Sequence, residues 1–400
     1  MHVAEVEPLD LADLAGRLQG LPGMPTAVVV ALLFAHRNPS HERAVREAVE
    51  RLLPGVPVHC SHAYDDAGAE FERTVATLRA AGCVVPEPSA PSGTSSDATD
   101  FDARIASVAD HIQATLVDHA VSSVVREAMD CAAGLFLPDG RLVAQARTLP
   151  LLLGSLAPAV AGILAECPVA QMRPGDGYAS NDPWRGGTHL PDVVLLRPVF
   201  AHGRLQALAA CILHHQDVGG TAPGSLPPDA RTVFDEGLRI PPLRLYSQEG
   251  ADPALLRLLC ANSRRPDELA GNLQAQWAGL QAGDAALQPL LDAGDGFALA
   301  CEASIAASEA ATRGALAAVP DGRWHYQDAL DGDGRGDASV HVAVTLVKRA
   351  DALTVDLTGC ADQVEGPANA SRGAVAAAVS YLARMLAPGA ASNAGCLAPI

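Results

Sequence analysis

Two apolar runs, Val193–Phe200 and Leu205–Leu213, separated only by Ala201-His202-Gly203-Arg204, constrain this chain more than any other stretch. Gly203 suits a tight turn and both runs have strand character, so the simplest local structure is an antiparallel hairpin. A hairpin places the start of its first strand beside the end of its second. Just before the first run stands Asn181-Asp-Pro-Trp-Arg-Gly-Gly-Thr-His-Leu-Pro-Asp192, and just after the second stands His214-His-Gln-Asp-Val-Gly-Gly220. Each contains a His-x-x-Asp unit, His189 with Asp192 and His214 with Asp217. The hairpin should bring the two units together at its open end, and imidazole with carboxylate on a rigid edge is a divalent-metal constellation. A single His-x-x-Asp says little, since surface His and Asp are ordinary. Two at one end of one hairpin point to metal or catalysis. Pro191 argues against a helix through His189 and Asp192, and the flanking glycine pairs are expected to let backbone approach a ligand. The register, and so which side chains share a face, is left open by the sequence.

Composition narrows the function. The chain has 400 residues, enough for two or three domains, and 49% hydrophobic against 18% charged residues fits a well-buried globular protein. A formal net charge of -18 disfavours nucleic acid. Lys348 is the only lysine, so a Gly-Lys-Ser/Thr phosphate loop is excluded and any ATP use must come from another motif or another polypeptide. No apolar run reaches the roughly 18 residues of a membrane span. The acidic N-terminus lacks the basic start of a signal peptide, so no membrane contact and a cytoplasmic location are expected. The nine cysteines show no Cys-x-x-Cys spacing and are expected to be reduced and mostly buried.

Along the chain, Val85–Asp100 is rich in Pro, Ser, Gly and Thr and reads as a flexible linker. It divides a small unit, residues 1–84, from a large one, residues 101–400. In the small unit a strand over Ala27–Phe34, a helix from Ser40, a strand over Val56–Cys60 and a helix over Ala69–Ala80 give a βαβα pattern. In the large unit, Phe101–Met129 has helical periodicity. Ala133–Gln145 reads as a hairpin turning at Pro138-Asp139-Gly140, and Leu151–Glu166 as a helix. Leu255–Leu291 is largely helical, with breaks expected at Pro266 and Pro289. Val340–Val347 and Leu353–Thr358 form another hairpin, and Gly373–Leu386 an Ala-rich helix. The fold class is mixed α+β with antiparallel hairpins. Asp331–Asp337 has the look of a calcium loop, but Arg335 and Val342 stand at ligand positions, so it reads as a turn.

The large unit resembles the hydantoinase B family, which includes N-methylhydantoinase B subunits, the corresponding half of ATP-dependent 5-oxoprolinase, and subunits of acetone and acetophenone carboxylases. The resemblance rests on the two blocks above, on Arg126-Glu127 through Asp130, and on Asp139–Gln145. Glu236-Gly-Leu-Arg-Ile-Pro-Pro242, Asp356-Leu-Thr-Gly359, Gly366-Pro-Ala-Asn369 and Asn393-Ala-Gly-Cys396 extend it. The small unit resembles part of the N-terminal region of the partner family, hydantoinase A, through Arg37-Asn-Pro-Ser-His-Glu-Arg43, Ser61-His62 and Phe71-Glu-Arg-Thr74. The segment Thr148–Ser155 lacks the histidines usual there, Gly271-Asn272-Leu273 replaces the family Gly-Asp-Leu, and the match ends at Ile400, short of a typical family C-terminus.

The resemblance implies an ATP-dependent opening of a small cyclic amide such as a hydantoin or 5-oxoproline, in a hetero-oligomer with a hydantoinase A-type ATPase. The alternatives are a subunit of a ketone carboxylase of the acetone or acetophenone type, and a non-catalytic assembly subunit. It also implies a divalent metal on His189, Asp192 and His214, manganese first, with zinc or iron as alternatives. Asp217 would orient a ligating imidazole. Asp182 and Glu236 are the candidate acid/base or substrate-orienting groups.

Overall fold

A computed structural model of the chain describes residues 11–19, 23–32, 35, 38–64, 70–82, 96–292, 295–336 and 338–400. It forms two compact units, dividing between Glu87 and Pro88. The small unit contains α1 (Leu11–Gln19), β1 (Val28–Val30), α2 (Ser40–Leu52), β2 (Val58–Cys60) and α3 (Glu70–Ala80), with β1 and β2 parallel. The expected βαβα pattern is present, preceded by α1. Its small core is Val30, Val45, Val49, Leu53 and Cys60.

The large unit opens with α4 (Ser96–His119) and α5 (Ser123–Ala128). Two expectations fail in this region. Residues 96–100, expected in the linker, form the first turns of α4, while most of the linker lies outside the described residues. The helical stretch to Met129 is broken at residues 120–122, where Asn272 accepts hydrogen bonds from the backbone N–H of Val121 and Ser122 at 2.9 and 3.3 Å.

Next come β3 (Cys131–Phe136), β4 (Leu142–Gln145), α6 (Leu156–Glu166), β5 (Gly177–Ser180), β6 (Asp192–Ala201) and β7 (Arg204–His214). They are followed by α7 (Val233–Glu236), β8 (Leu243–Ser247), β9 (Gly250–Ala251), α8 (Pro253–Ala261) and α9 (Pro266–Leu291). Seven strands form one antiparallel sheet in the order β4-β3-β7-β6-β5-β8-β9. Its centre is the β6–β7 hairpin, closed through Ala201 opposite Arg204 with positive φ at His202 and Gly203, the two-residue turn that matches strand twist.

Both faces of this hairpin are covered, which is why its strands read as continuous apolar runs. Val193, Leu195, Ala209, Cys211 and Leu213 pack into a core shared with α4 and α9, while Val194, Leu196, Leu208, Ala210 and Ile212 pack with α6 on the other face. Each fully buried Val, Leu or Ile stabilises the sheet by about 1.5–3 kcal/mol. Cys211 belongs to this packing, and burial pushes its thiol far above the usual range. Pro266 starts α9, as a proline at a first helical position does, but Pro289 sits inside the last turn of α9 without breaking it.

The remainder comprises α10 (Asp295–Ala317), β10 (Gly322–Leu330), β11 (Val340–Arg349), β12 (Ala352–Asp356) and α11 (Arg372–Leu386). The three strands make a separate antiparallel sheet, ordered β10-β11-β12. In the stretch read as a turn, the Asp333 carboxylate accepts backbone N–H groups of Arg335, Gly336 and Gly366 at 2.9–3.1 Å. Among the described residues no helix is long and apolar enough to cross a membrane.

Candidate metal centre

The register of the central hairpin sets Asp192, first residue of β6, directly opposite His214, last residue of β7. His189 precedes β6 by one tight turn, closed by a 3.0 Å hydrogen bond from the Asp192 N–H to the His189 carbonyl. One carboxylate therefore meets two imidazoles. Asp192 Oδ1 lies 3.2 Å from His214 Nδ1 and Oδ2 lies 2.9 Å from His189 Nδ1, with the ring centroids 4.9 Å apart. Thr188 donates its hydroxyl to Asp192 Oδ2. One ligand atom from each of His189, Asp192 and His214 falls within 4.8 Å of the other two. Sequence reasoning expected these three to meet, and they do.

The electrostatics of the cluster centre on the Asp192 carboxylate. Burial alone would push the Asp192 carboxyl up, but the nearby His189 and His214 imidazoles and the Thr188 hydroxyl hold it far below the usual carboxylate range. Burial disfavours a charged His189, yet Asp192 outweighs it and raises the imidazole, helped by Asp130 and Glu236. His189 Nδ1 is buried and makes no hydrogen bond of good geometry, although Asp192 Oδ2 is close. A buried nitrogen left out of the hydrogen-bond network, beside an ionised carboxylate and a second imidazole, fits the donor set of a divalent ion.

Asp130 belongs to a family block, but its sequence context gave it no role. It precedes β3, which pairs with β7, so its carbonyl accepts the His214 N–H at 3.1 Å and its Oδ2 lies 3.9 Å from His214 Nδ1. Burial raises its carboxyl, with His214 opposing. Glu236, at the end of α7, is likewise raised by burial and lowered in turn by His189.

Two expected site residues are engaged elsewhere. Asp217 does not orient an imidazole. Its buried carboxylate accepts N–H groups of Gly219, Gly224 and Arg264 at 3.0–3.2 Å and the Arg264 guanidinium at 3.1 Å, fastening the loop after β7. Asp182 caps the short turn 183–185 through Trp184 N–H at 3.0 Å, with Arg239 at 3.8 Å. Asp182 thus faces a backbone donor of its own turn, and Asp217 donors of its own loop and of Arg264. The glycine pairs sit at close approaches within the protein itself. They let the loops approach the protein's own backbone: a Cβ on Gly186 would lie 2.1 Å from the Pro158 carbonyl, and one on Gly220 2.5 Å from that of Glu236.

The neighbouring His215 points the other way. It is buried, its Nε2 meets Gln276 Oε1 at 3.1 Å, and burial pushes its imidazole down to about 4, so it is neutral. In the small unit Glu42, Cys60 and His62 also place ligand-capable atoms together. There the Glu42 carboxylate already accepts from Leu32 N–H, Ser61 hydroxyl and His62 N–H and contacts His62 Nδ1 at 2.6 Å, which reads as a satisfied buried carboxylate.

The helix-covered antiparallel sheet thus carries two histidines and one aspartate together at a strand end, a donor set of the kind divalent ions take. Residues 99–400 match the hydantoinase B/oxoprolinase family, and the chain belongs to it. It is 30% identical over 325 residues to 5-oxoprolinase 1 of Arabidopsis thaliana, covering 75% of this chain and 26% of that protein. It is 32% identical over 242 residues to caprolactamase subunit beta of Pseudomonas jessenii, covering 59% of this chain and 41% of that one. The crystal structure of the ATP-dependent caprolactamase from Pseudomonas jessenii superposes with a TM-score of 0.66 at 29% identity, over 74% of this chain and 51% of that chain. Nucleotide-free acetone carboxylase superposes with a TM-score of 0.69 at 16% identity, over 80% and 45% of the two chains, a likeness of fold. The chain covers only 15–49% of the length of the curated relatives compared with it.

Proposed function

We propose that the chain is the metal-bearing subunit of an ATP-dependent hydrolase that opens a small cyclic amide, working with a hydantoinase A-type ATPase subunit in a hetero-oligomer. The observation that carries this is the convergence of His189, Asp192 and His214 at one strand end, in a chain related to 5-oxoprolinase and caprolactamase. A divalent ion there, manganese first and zinc or iron as alternatives, would supply Lewis acidity or an activated water.

The protein's own groups have distinct tasks. Ionised Asp192 holds both imidazoles in place across the strand ends. Glu236, its carboxyl raised toward neutrality by burial, is the proton-handling candidate beside His189. Asp130 adds a second carboxylate against His214. An amide carbonyl is a poor electrophile, and a chain with one lysine and no phosphate loop has no evident means to activate it with ATP. The partner would provide that step, and the small unit, which resembles the start of that partner family, would serve as its docking surface.

Reconstitution tests the reading: hydantoin, 5-oxoproline or caprolactam with ATP and magnesium, given the chain alone and then with a hydantoinase A-type protein. Ring opening by the pair only is expected. Ring opening by the chain alone would remove the partner requirement. ATP-dependent consumption of acetone and bicarbonate instead would move the chain to the ketone carboxylase branch, and silence throughout to an assembly role.

A further inference from the structure

His214 also borders an open pocket of about 510 Å³, lined further by Val124, Gln216, Pro223, Gly224, the Asp217 carboxylate that Arg264 already pairs, and Arg264 and Arg265. That is room for a small molecule. The two guanidiniums in it differ. Arg264 is consumed by the loop it fastens: Nη1 donates to Asp217, Gly219 O and Ala222 O at 3.1–3.3 Å, and Nη2 to Gly220 O at 2.6 Å. Arg265 bonds to other side chains only through Nη1, to Gln216 Oε1 and to Glu268 Oε2, the latter at 2.7 Å. Gln216 is itself tied to the Ser123 hydroxyl at 3.3 Å. No described residue bonds Arg265 Nε or Nη2, and the side chain is 56% exposed. Those two nitrogens form the guanidinium edge that matches a carboxylate or phosphate with two parallel hydrogen bonds. Glu268 offsets charge at Nη1 but leaves that edge open to an oxyanion.

We propose that this pocket is a subsite for an oxyanion carried by the ligand whose ring reaches the metal cluster, and that Arg265 is the residue that reads it. The inference rests on the proposed function for the ring and on the pocket alone for the anion. The oxyanion has two possible sources, a carboxylate on the ring or a phosphoryl group, and both present the same pair of acceptor oxygens.

Calorimetry on the full chain separates the outcomes, with three probes: 5-oxoproline, 2-pyrrolidone (the same ring without its carboxylate) and inorganic phosphate. The expected result is that 5-oxoproline or phosphate binds about ten- to a hundredfold more tightly than 2-pyrrolidone. Arg265→Ala should erase that preference with metal content and circular dichroism unchanged, and Arg265→Lys should keep only part of it, a point charge without the fork. Dependence on Arg265 for 5-oxoproline assigns the ring carboxylate, and for phosphate alone the phosphoryl group. Equal anion binding by wild type and Arg265→Ala, or no anion binding by wild type, overturns the subsite. A chain without metal that still binds phosphate through Arg265 keeps the subsite and loses the proposed function. A metal-bearing chain indifferent to Arg265 does the reverse.

Discussion

Asp217 and Asp192 are both buried carboxylates within one of the two His-x-x-Asp units, yet they face different partners. Asp192 faces two imidazoles, whereas Asp217 faces three backbone N–H groups and Arg264. The spacing is identical, so the difference comes from where each aspartate falls relative to its strand. Asp192 is the first residue of β6, while Asp217 lies beyond β7, in a loop that turns back on itself. Removing the Asp217 side chain should therefore cost stability and leave metal content intact. Asp217→Ala is expected to destabilise by about 2–3 kcal/mol in urea denaturation, since it orphans several buried donors. Burial pushes the Asp217 carboxyl up, but the donors from Arg264, Gly219 and Gly224 outweigh it and hold it below the usual range. A folded pKa below the unfolded one gives stability that is complete above about pH 4 and is lost as pH falls through the folded value. The wild-type urea midpoint should drop on acidification below about pH 4, and Asp217→Asn should show less of that drop. An identical acid dependence in the two proteins would refute the assignment.

The central hairpin was legible because its signals are local: two apolar runs, a glycine turn and flanking His-x-x-Asp units. Asp130 was not legible as a site residue, because its contact with His214 depends on β3 pairing with β7 across more than eighty residues of sequence. β10 was missed because its alternation is confined to Trp324-His325-Tyr326-Gln327 and it buries no face, being exposed along nearly its whole length. α10 was missed for a related reason: its Ala-rich sequence carries only a weak apolar stripe. The approach of α9 to α4 was equally hidden. A Cβ on Gly279 would lie 2.8 Å from the Ile112 carbonyl, so the two helices meet where only glycine leaves room. Gly279→Ala should destabilise by about 1–3 kcal/mol. Gly314→Ala, on the exposed side of α10 with nothing within 4 Å, should be neutral or stabilising by up to about 1 kcal/mol. Thermal denaturation of the two variants checks the contrast, and equal shifts would contradict the packing.

At the scale of the whole chain, metal chemistry and ATP chemistry are expected on different polypeptides. The purified chain should show no ATP turnover in a phosphate-release assay, because it has one lysine and no phosphate loop. Turnover abolished by a substitution in this chain would refute the division. Two departures from the family pattern are tied into the chain by local hydrogen bonds. Asn272 accepts from the Val121 and Ser122 N–H groups and donates to the Ser122 hydroxyl at 3.0 Å. Gln145 ties the histidine-free 148–155 segment through Leu152 O and Gly154 N–H, both at 3.2 Å. The central claim is the metal itself, and elemental analysis of the purified chain tests it most directly. The wild type should carry about one divalent ion per chain. His189→Ala, Asp192→Ala and His214→Ala should each lose it while keeping the wild-type circular dichroism spectrum, and Asp217→Asn should keep it. Wild-type metal content in all three alanine variants would contradict the account.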